Sequence, residues 1–488
     1  MSPLTRTNCK PRTACRNPSF RWRILLTLAG GMLLLAGTAA AEAQTLPASL
    51  SAQIDGLVGQ ALSAGQIPGA SVAIERRGQV IYEKGFGFAD VENKVPVTPE
   101  SVFPIGSITK TMTGLAIQQL VAAGKIDLDA PVSRYLPMLP APARDAKIRF
   151  LLDHTSGIIG YTDIPGFPNN AQAPMTRDDI VGWFAAKPLL FPSGTRWSYT
   201  NSGLYLLGLV VEAVSGMQYA DYLQQNEFTP FGMSKTTLAG WGPLIGGRAH
   251  GYRRSAQGME NAPRYDPLLP FAAGAVMSTA DDLLKYRRGV FGDGPTPAAL
   301  RTRLLQQDRL PDGFVLPYTL GCLVLGDFAG HRRIGHPGDI YGFSAQYSYY
   351  PDDDLTIVIL TNSQDASFPP ISIEQKIIRV LFGIPVPKIK DIPLPTRIAT
   401  PLLGEYEVGD LRFGFDRIAF VLKDGSLQME LGGEGAPPVA LRYQGGSRFV
   451  SSVDDEQQID FAPASGMQVN VRFYGSPLAF HRIGAPAH

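Results

Sequence analysis

Phe103-Pro104-Ile105-Gly106-Ser107-Ile108-Thr109-Lys110 sets one serine three residues ahead of one lysine, at the mouth of an apolar run. Thr111, Leu115, Ile117, Leu120 and Val121 continue that run with helical spacing until Gly124. A serine hydroxyl needs a base before it attacks a carbonyl. Lys110, one turn further on the same helix face as Ser107, is within reach of that proton once its own charge is suppressed. A cation in a first helical turn opposes the macrodipole, and that field lowers its pKa in the useful direction. The Ser107 N–H, at a helix N-terminus, supplies one half of an oxyanion hole. Ser-x-x-Lys is nonetheless expected about once by chance in a chain of this composition. Context has to decide.

Two further motifs supply it. Tyr199-Thr200-Asn201 provides a phenol to shuttle the proton to a leaving group and an amide to orient Lys110 or a substrate carbonyl. His336-Pro337-Gly338 is the one His-x-Gly in the chain. Taken singly, each residue has a plainer reading. Ser107 would be an N-cap, Lys110 a solvated surface residue, Tyr199 a core aromatic and His336 a hydrogen-bonded histidine. Cys322 reads as a buried small hydrophobe, and Asp352–Asp354 as a solvated hairpin turn rather than a calcium site. The chain has no G-x-S-x-G, which argues against a nucleophile elbow.

Composition narrows the class. A chain of 488 residues accommodates two or three domains, and 44% hydrophobic with 18% charged residues excludes disorder as the main state. A mean hydropathy of +0.00 excludes a polytopic membrane protein. With 44 Lys and Arg against 43 Asp and Glu there is no basic field for nucleic acid.

The N-terminus reads as a secretory signal peptide over 1–43. Arg6, Lys10, Arg12, Arg16, Arg21 and Arg23 precede an apolar run from Ile24 to Leu35 and an A-x-A cut at 39–41 or 41–43. The rival is an uncleaved anchor over Ile24 to Ala41, 18 residues at the lower limit for a span. Cleavage leaves a periplasmic or secreted protein of net charge −4 with no stable membrane span. Its one cysteine, Cys322, excludes an internal disulfide. The six histidines lack zinc-ligand spacing, so neither metal nor cofactor is expected.

Along the chain, helical periodicity over 46–64 is followed by a hairpin, 70–74 with 79–82, turning at Arg76-Arg77-Gly78. A helix follows Asn201 and ends at Ser215-Gly216. The stretch 345–361 is strand-like around Pro351-Asp352-Asp353-Asp354, and a last helix runs from Ile371 to Leu381. This order implies an α/β (α+β) fold: an antiparallel sheet whose outer pieces come from both ends of one domain, flanked by helices, with an all-helical insert. That domain covers 44–384. A Pro-rich stiff linker, 385–395, precedes a small all-β, barrel-like domain at 396–488.

Six blocks, in order, then point to a family. They are Ile67-Pro68-Gly69-Ala70, Phe103 to Lys110, Leu151-Leu152-Asp153-His154-Thr155-Ser156-Gly157, Pro192-Ser193-Gly194 through Tyr199-Thr200-Asn201 to Leu206-Leu207-Gly208, Gly274 to Leu283, and Gly335-His336-Pro337-Gly338. From about 46 to 383 the chain resembles the serine β-lactamase and penicillin-binding-protein superfamily, on its class C side. The resemblance implies a β-lactamase/DD-peptidase-like fold and an acyl-enzyme on Ser107, with Lys110 and Tyr199 as acid and base. It places Asn201, His336, Gly338 and Asp339 at the substrate, Asp339 offering the second oxyanion N–H. His154 belongs to a scaffold signature.

One departure matters. Class C β-lactamases carry Lys-Thr-Gly where this chain has His336-Pro337-Gly338. A mostly neutral histidine replaces a permanent cation, and Pro337 removes a strand donor. A small-molecule ester or D-amino-acid peptide is therefore the expected substrate, cleaved by an esterase or D-peptidase. A class C β-lactamase acting on a β-lactam is the alternative. A penicillin-binding or sensor protein that acylates without turnover is the alternative of another kind.

Overall fold

The computed structural model describes residues 45–488 except 165–166, 168–174, 241–243, 256, 365–368, 391, 409–410, 413–416, 432–437, 453–455, 463–467, 474–475 and 484–488. The expected leader at 1–43 lies outside the described residues.

A nine-stranded sheet forms the frame, antiparallel throughout. Its order is Gln307–Arg309, Val315–Thr319, Val324–Phe328, His331–Ile340, Phe343–Tyr350, Leu355–Thr361, Gly69–Arg76, Gln79–Asp90 and Val95–Pro96. The pairing of Ala70 with Thr361 through Arg76 with Leu355 joins the two ends of the domain inside the sheet. Alternation assigns the two faces. Val72, Ile74, Ile357 and Ile359 pack with Ile54, Val58, Ile373 and Ile377 of the outer helices Ala48–Gly65 and Pro370–Phe382. Ala73, Val358 and Leu360 point the other way, into the larger core that holds the helices Thr109–Ala122 and Asn201–Ser215.

The hairpin turn at 351–354 is where the sequence places it, but its acids are engaged with neighbouring cations. Asp353 meets His331 Nδ1 at 2.8 Å, Asp354 meets Arg287 at 3.1 Å, and Asp352 pairs with Arg332.

The insert is not all-helical. Phe103–Pro104, Val276–Ser278 and Thr237–Leu238 make a small three-stranded sheet, and Tyr252–Ser255 pairs with Gly258–Asn261 as a hairpin. The short strands have a purpose that periodicity over so few residues does not announce. Ile105 N–H donates to Val276 C=O at 3.0 Å and Val276 N–H donates to Thr109 Oγ1 at 3.1 Å, clamping both sides of Ser107.

The C-terminal strands close into an eight-stranded antiparallel barrel. The strand Gly404–Val408 pairs with Arg417–Lys423 on one side and with Ser476–Ile483 on the other. Tyr406, Phe420, Met429, Phe449, Phe461 and Phe480 are buried in its core. Contacts among the described residues tie it to the sheet domain. Arg379 of the last outer helix pairs with Glu456, Nη2 to Oε2 at 2.8 Å, and the backbone of Leu411–Arg412 pairs in parallel with Trp197–Ser198.

Candidate active site

Ser107 sits in a single 3₁₀ turn, Gly106–Ile108, that leads into the helix Thr109–Ala122. The turn lies hard against the strand His331–Ile340. A Cβ on Gly106 would stand 2.8 Å from the Asp339 backbone N, and one on Gly338 would stand 2.0 Å from Ile105 C=O. Gly106 is also at φ +51°, so glycine meets a conformational and a steric demand at once. This contact brings the Asp339 N–H beside Ser107, the neighbourhood needed for a second oxyanion donor.

Lys110 is fully buried, and its ammonium has three acceptors around it. Nζ lies 3.0 Å from Ser107 Oγ, 2.8 Å from Asn201 Oδ1 and 2.8 Å from Ala273 C=O. Burial pushes its pKa from 10.5 down to about 7, with Cys322 opposing weakly. Desolvation is the first cause of that shift. Among the described residues no carboxylate hydrogen-bonds Nζ to offset it. The Ala273 carbonyl is one site group that sequence reasoning missed. Its signal was the Gly274-to-Leu283 block, which begins one residue later.

The first turn of the helix Asn201–Ser215 carries Asn201, and Thr200 caps that helix by accepting from Ser202 N–H at 3.1 Å. With Oδ1 taken by Lys110, Asn201 Nδ2 donates to Thr162 Oγ1 at 3.3 Å, which fixes the amide orientation. Tyr199 is half-buried just before the cap. Lys110 Nζ stands 4.9 Å from its ring centre. Burial raises the phenol above its ordinary range, while hydrogen bonding with Ser107 acts against that rise. Tyr199 thus keeps its proton where Lys110 can lose its own.

Ser107, Asn201 and Asp339 line one cleft of about 220 Å³, walled by Tyr161, Tyr265 and Tyr341. None of its described lining residues is Lys or Arg. His336, expected at the substrate, is like Lys110 and Tyr199 not among them. Its side chain is buried behind Tyr199, the ring centres 6.2 Å apart, with Nε2 hydrogen-bonded to Tyr318 Oη at 2.9 Å. Burial, helped by the charge of Lys110, pushes its pKa down to about 3, so it is neutral at pH 7. Gly338 serves the site by its lack of a side chain. His154 packs against Tyr199, ring centres 4.4 Å apart.

A nucleophile, a buried amine and a phenol arranged on this sheet define a serine hydrolase of the β-lactamase and penicillin-binding-protein type. The chain belongs to the Beta-lactamase family, whose model matches residues 54–378. Penicillin-binding protein 4* of Bacillus subtilis is 27% identical over 366 residues, 71% of this chain and 80% of that protein. The human serine beta-lactamase-like protein LACTB, mitochondrial, is 28% identical over 287 residues, 45% of this chain. The match spans 52% of LACTB, about half its length. Among solved structures, the octameric penicillin-binding protein homologue from Pyrococcus abyssi superposes with TM-score 0.60 at 23% identity, over 88% of this chain and 99% of that one. A D-stereospecific amidohydrolase from Streptomyces sp. gives TM-score 0.56 at 26% identity, over 67% of this chain and 98% of that one.

Proposed function

We propose that this serine hydrolase is exported by its leader and cleaves a small ester or D-amino-acid amide through an acyl-enzyme on Ser107. The observation that carries the mechanism is the set of partners around Lys110. A neutral amine has two N–H groups and one lone pair. Asn201 Oδ1 and Ala273 C=O take the two N–H groups, so the lone pair is left for the Ser107 hydroxyl proton. Ser107 Oγ then attacks the carbonyl, while the N–H groups of Ser107 and Asp339 receive the developing oxyanion. Tyr199, protonated at the outset, gives its proton to the leaving group and regains one from the water that attacks the acyl-enzyme, while Lys110 returns to Ser107 Oγ the proton it took.

The cleft supports the choice of substrate. A β-lactam presents a carboxylate, and the described lining offers Asp339 but no cation. The amidohydrolase relative is named for D-stereospecific amide cleavage, and the aromatic wall suits an apolar acyl group. Export draws its support from the cations, apolar run and A-x-A sites of 1–43.

The test uses residues 44–488 and its Ser107→Ala variant on p-nitrophenyl butyrate, a D-alanyl p-nitroanilide and nitrocefin, with intact mass after each. Ester or D-amide turnover that falls to background in Ser107→Ala is the expected result. Full activity in the variant sinks the mechanism, and rapid nitrocefin turnover sinks the substrate choice. A stable mass increase on Ser107 without turnover would mark a penicillin-binding or sensor protein.

A further inference from the structure

Tyr199 is carried between the two-residue strand Trp197–Ser198 and the helix cap Thr200. The backbone N–H groups on either side of it go to a single residue. Ser198 N–H donates to His154 C=O at 2.9 Å, and Thr200 N–H donates to His154 Nδ1 at 3.2 Å. Thr200 is buried, so no water replaces that acceptor. His154 itself holds φ +65°, a region a histidine occupies only where its surroundings impose it.

Nδ1 accepts only in the neutral imidazole with its proton on Nε2. The pocket keeps that form: burial, with Lys110 and His336 adding, holds His154 well below its ordinary pKa. Nε2 is buried and makes no hydrogen bond within the described structure. Around the ring stand Tyr199 at 4.4 Å, Tyr318 at 4.6 Å and Trp197 at 5.7 Å between centres. Its polar work is therefore confined to the backbone that carries Tyr199.

We infer that His154 is a positioning residue for the reaction, gripping the chain on both sides of Tyr199 and so setting where the phenol meets Ser107. The inference rests on the role of Tyr199 proposed above. It assigns the His-Thr-Ser-Gly block a part in the chemistry that a scaffold signature does not have. A misplacement of about 1 Å at a proton-transfer group costs on the order of a hundredfold in rate.

Two substitutions separate an acceptor from a filler. Asparagine tolerates the left-handed region and offers Oδ1 in place of Nδ1 while losing the ring. Phenylalanine keeps the ring and loses the acceptor. On p-nitrophenyl butyrate, His154→Phe is expected to lose about 10–100-fold in kcat with KM within roughly threefold, and His154→Asn to keep kcat within roughly fivefold. The reverse order, with Phe active and Asn impaired, overturns the inference in favour of ring packing. Should His154→Phe fail to fold, the Asn variant decides alone, and a loss there beyond about tenfold overturns it. Tyr199→Phe runs alongside. Undiminished turnover in it would break the proposed role of Tyr199. An inactive Tyr199→Phe beside a fully active His154→Phe would break only the inference about His154.

Discussion

Two of the cations buried in the sheet domain are treated oppositely. Arg287 is 3% exposed and meets the fully buried carboxylate of Glu75, which Arg288 also contacts, while Asp354 takes a second Arg287 nitrogen at 3.1 Å. Lys110 is equally buried but meets only neutral oxygens. In the first case the cation has a carboxylate partner, and the pair pins the helix Ala280–Phe291 to the strand Gly69–Arg76. In the second, desolvation goes uncompensated and the amine gives up its proton near neutral pH. Pairing makes a buried cation a fastener, and withholding the pair makes it a base.

The largest break in this comparison is Lys110→Met. It is expected to lower kcat/KM by about 10³-fold or more, read in steady-state assays. Its stability should move the other way. The folded pKa lies near 7 and the unfolded one near 10.5, so between them the unfolded chain binds more protons and wild-type stability rises with pH. The full penalty of Lys110, on the order of 5 kcal/mol, applies below pH 7 and vanishes above 10.5. Denaturant unfolding should show Lys110→Met gaining most on the wild type at pH 6 and progressively less towards pH 10.

Next comes Glu75→Ala, which strands the buried Arg287 and should cost about 3–5 kcal/mol in denaturant unfolding. The folded fraction should keep its kcat, since Glu75 does not line the cleft.

Asn201→Asp turns the second kind of cation into the first. A carboxylate 2.8 Å from Nζ stabilises the ammonium. The wild-type kcat/KM should rise with pH through about 7, and this acidic limb should move up by about 1–3 pH units in the variant. A limb that stays in place would mean that another group sets it.

Asp55→Asn is the smallest and serves as the control. Its partner Lys84 is 47% exposed at 2.7 Å, and loss of the pair should change stability by less than about 1 kcal/mol.

Much of the frame was legible. The periodicity over 46–64 and 371–381 marks the two outer helices, and Asp352–Asp354 marks a turn between strands. Less legible was His331–Ile340, the strand beside the nucleophile. Its sequence, His-Arg-Arg-Ile-Gly-His-Pro-Gly-Asp-Ile, has neither alternation nor β-branched density. It is a strand because Gly335 and Gly338 let neighbouring backbone come closer than any side chain allows, 2.0 Å from where a Cβ would stand in each case. The small sheet of the insert escaped for a related reason. Its strands are two or three residues long, too short for a period.

By itself the sequence determined which groups to propose for the reaction, because Ser107, Lys110 and Tyr199 lie in short motifs whose local geometry travels with them. It also determined that His336 is no permanent cation, a property of imidazole wherever it sits. Only the tertiary structure decided what each group is. Lys110 is suited to the base role proposed for it because burial and two neutral acceptors surround it, and those acceptors come from residues 91 and 163 positions away. His336 is held beside Tyr199 by its hydrogen bond with Tyr318. His154 passes from scaffold to clamp because the chain returns to it at Ser198 and Thr200. Protonation state and orientation depend on solvent exclusion and on partners distant in sequence, and these exist only once the chain has folded.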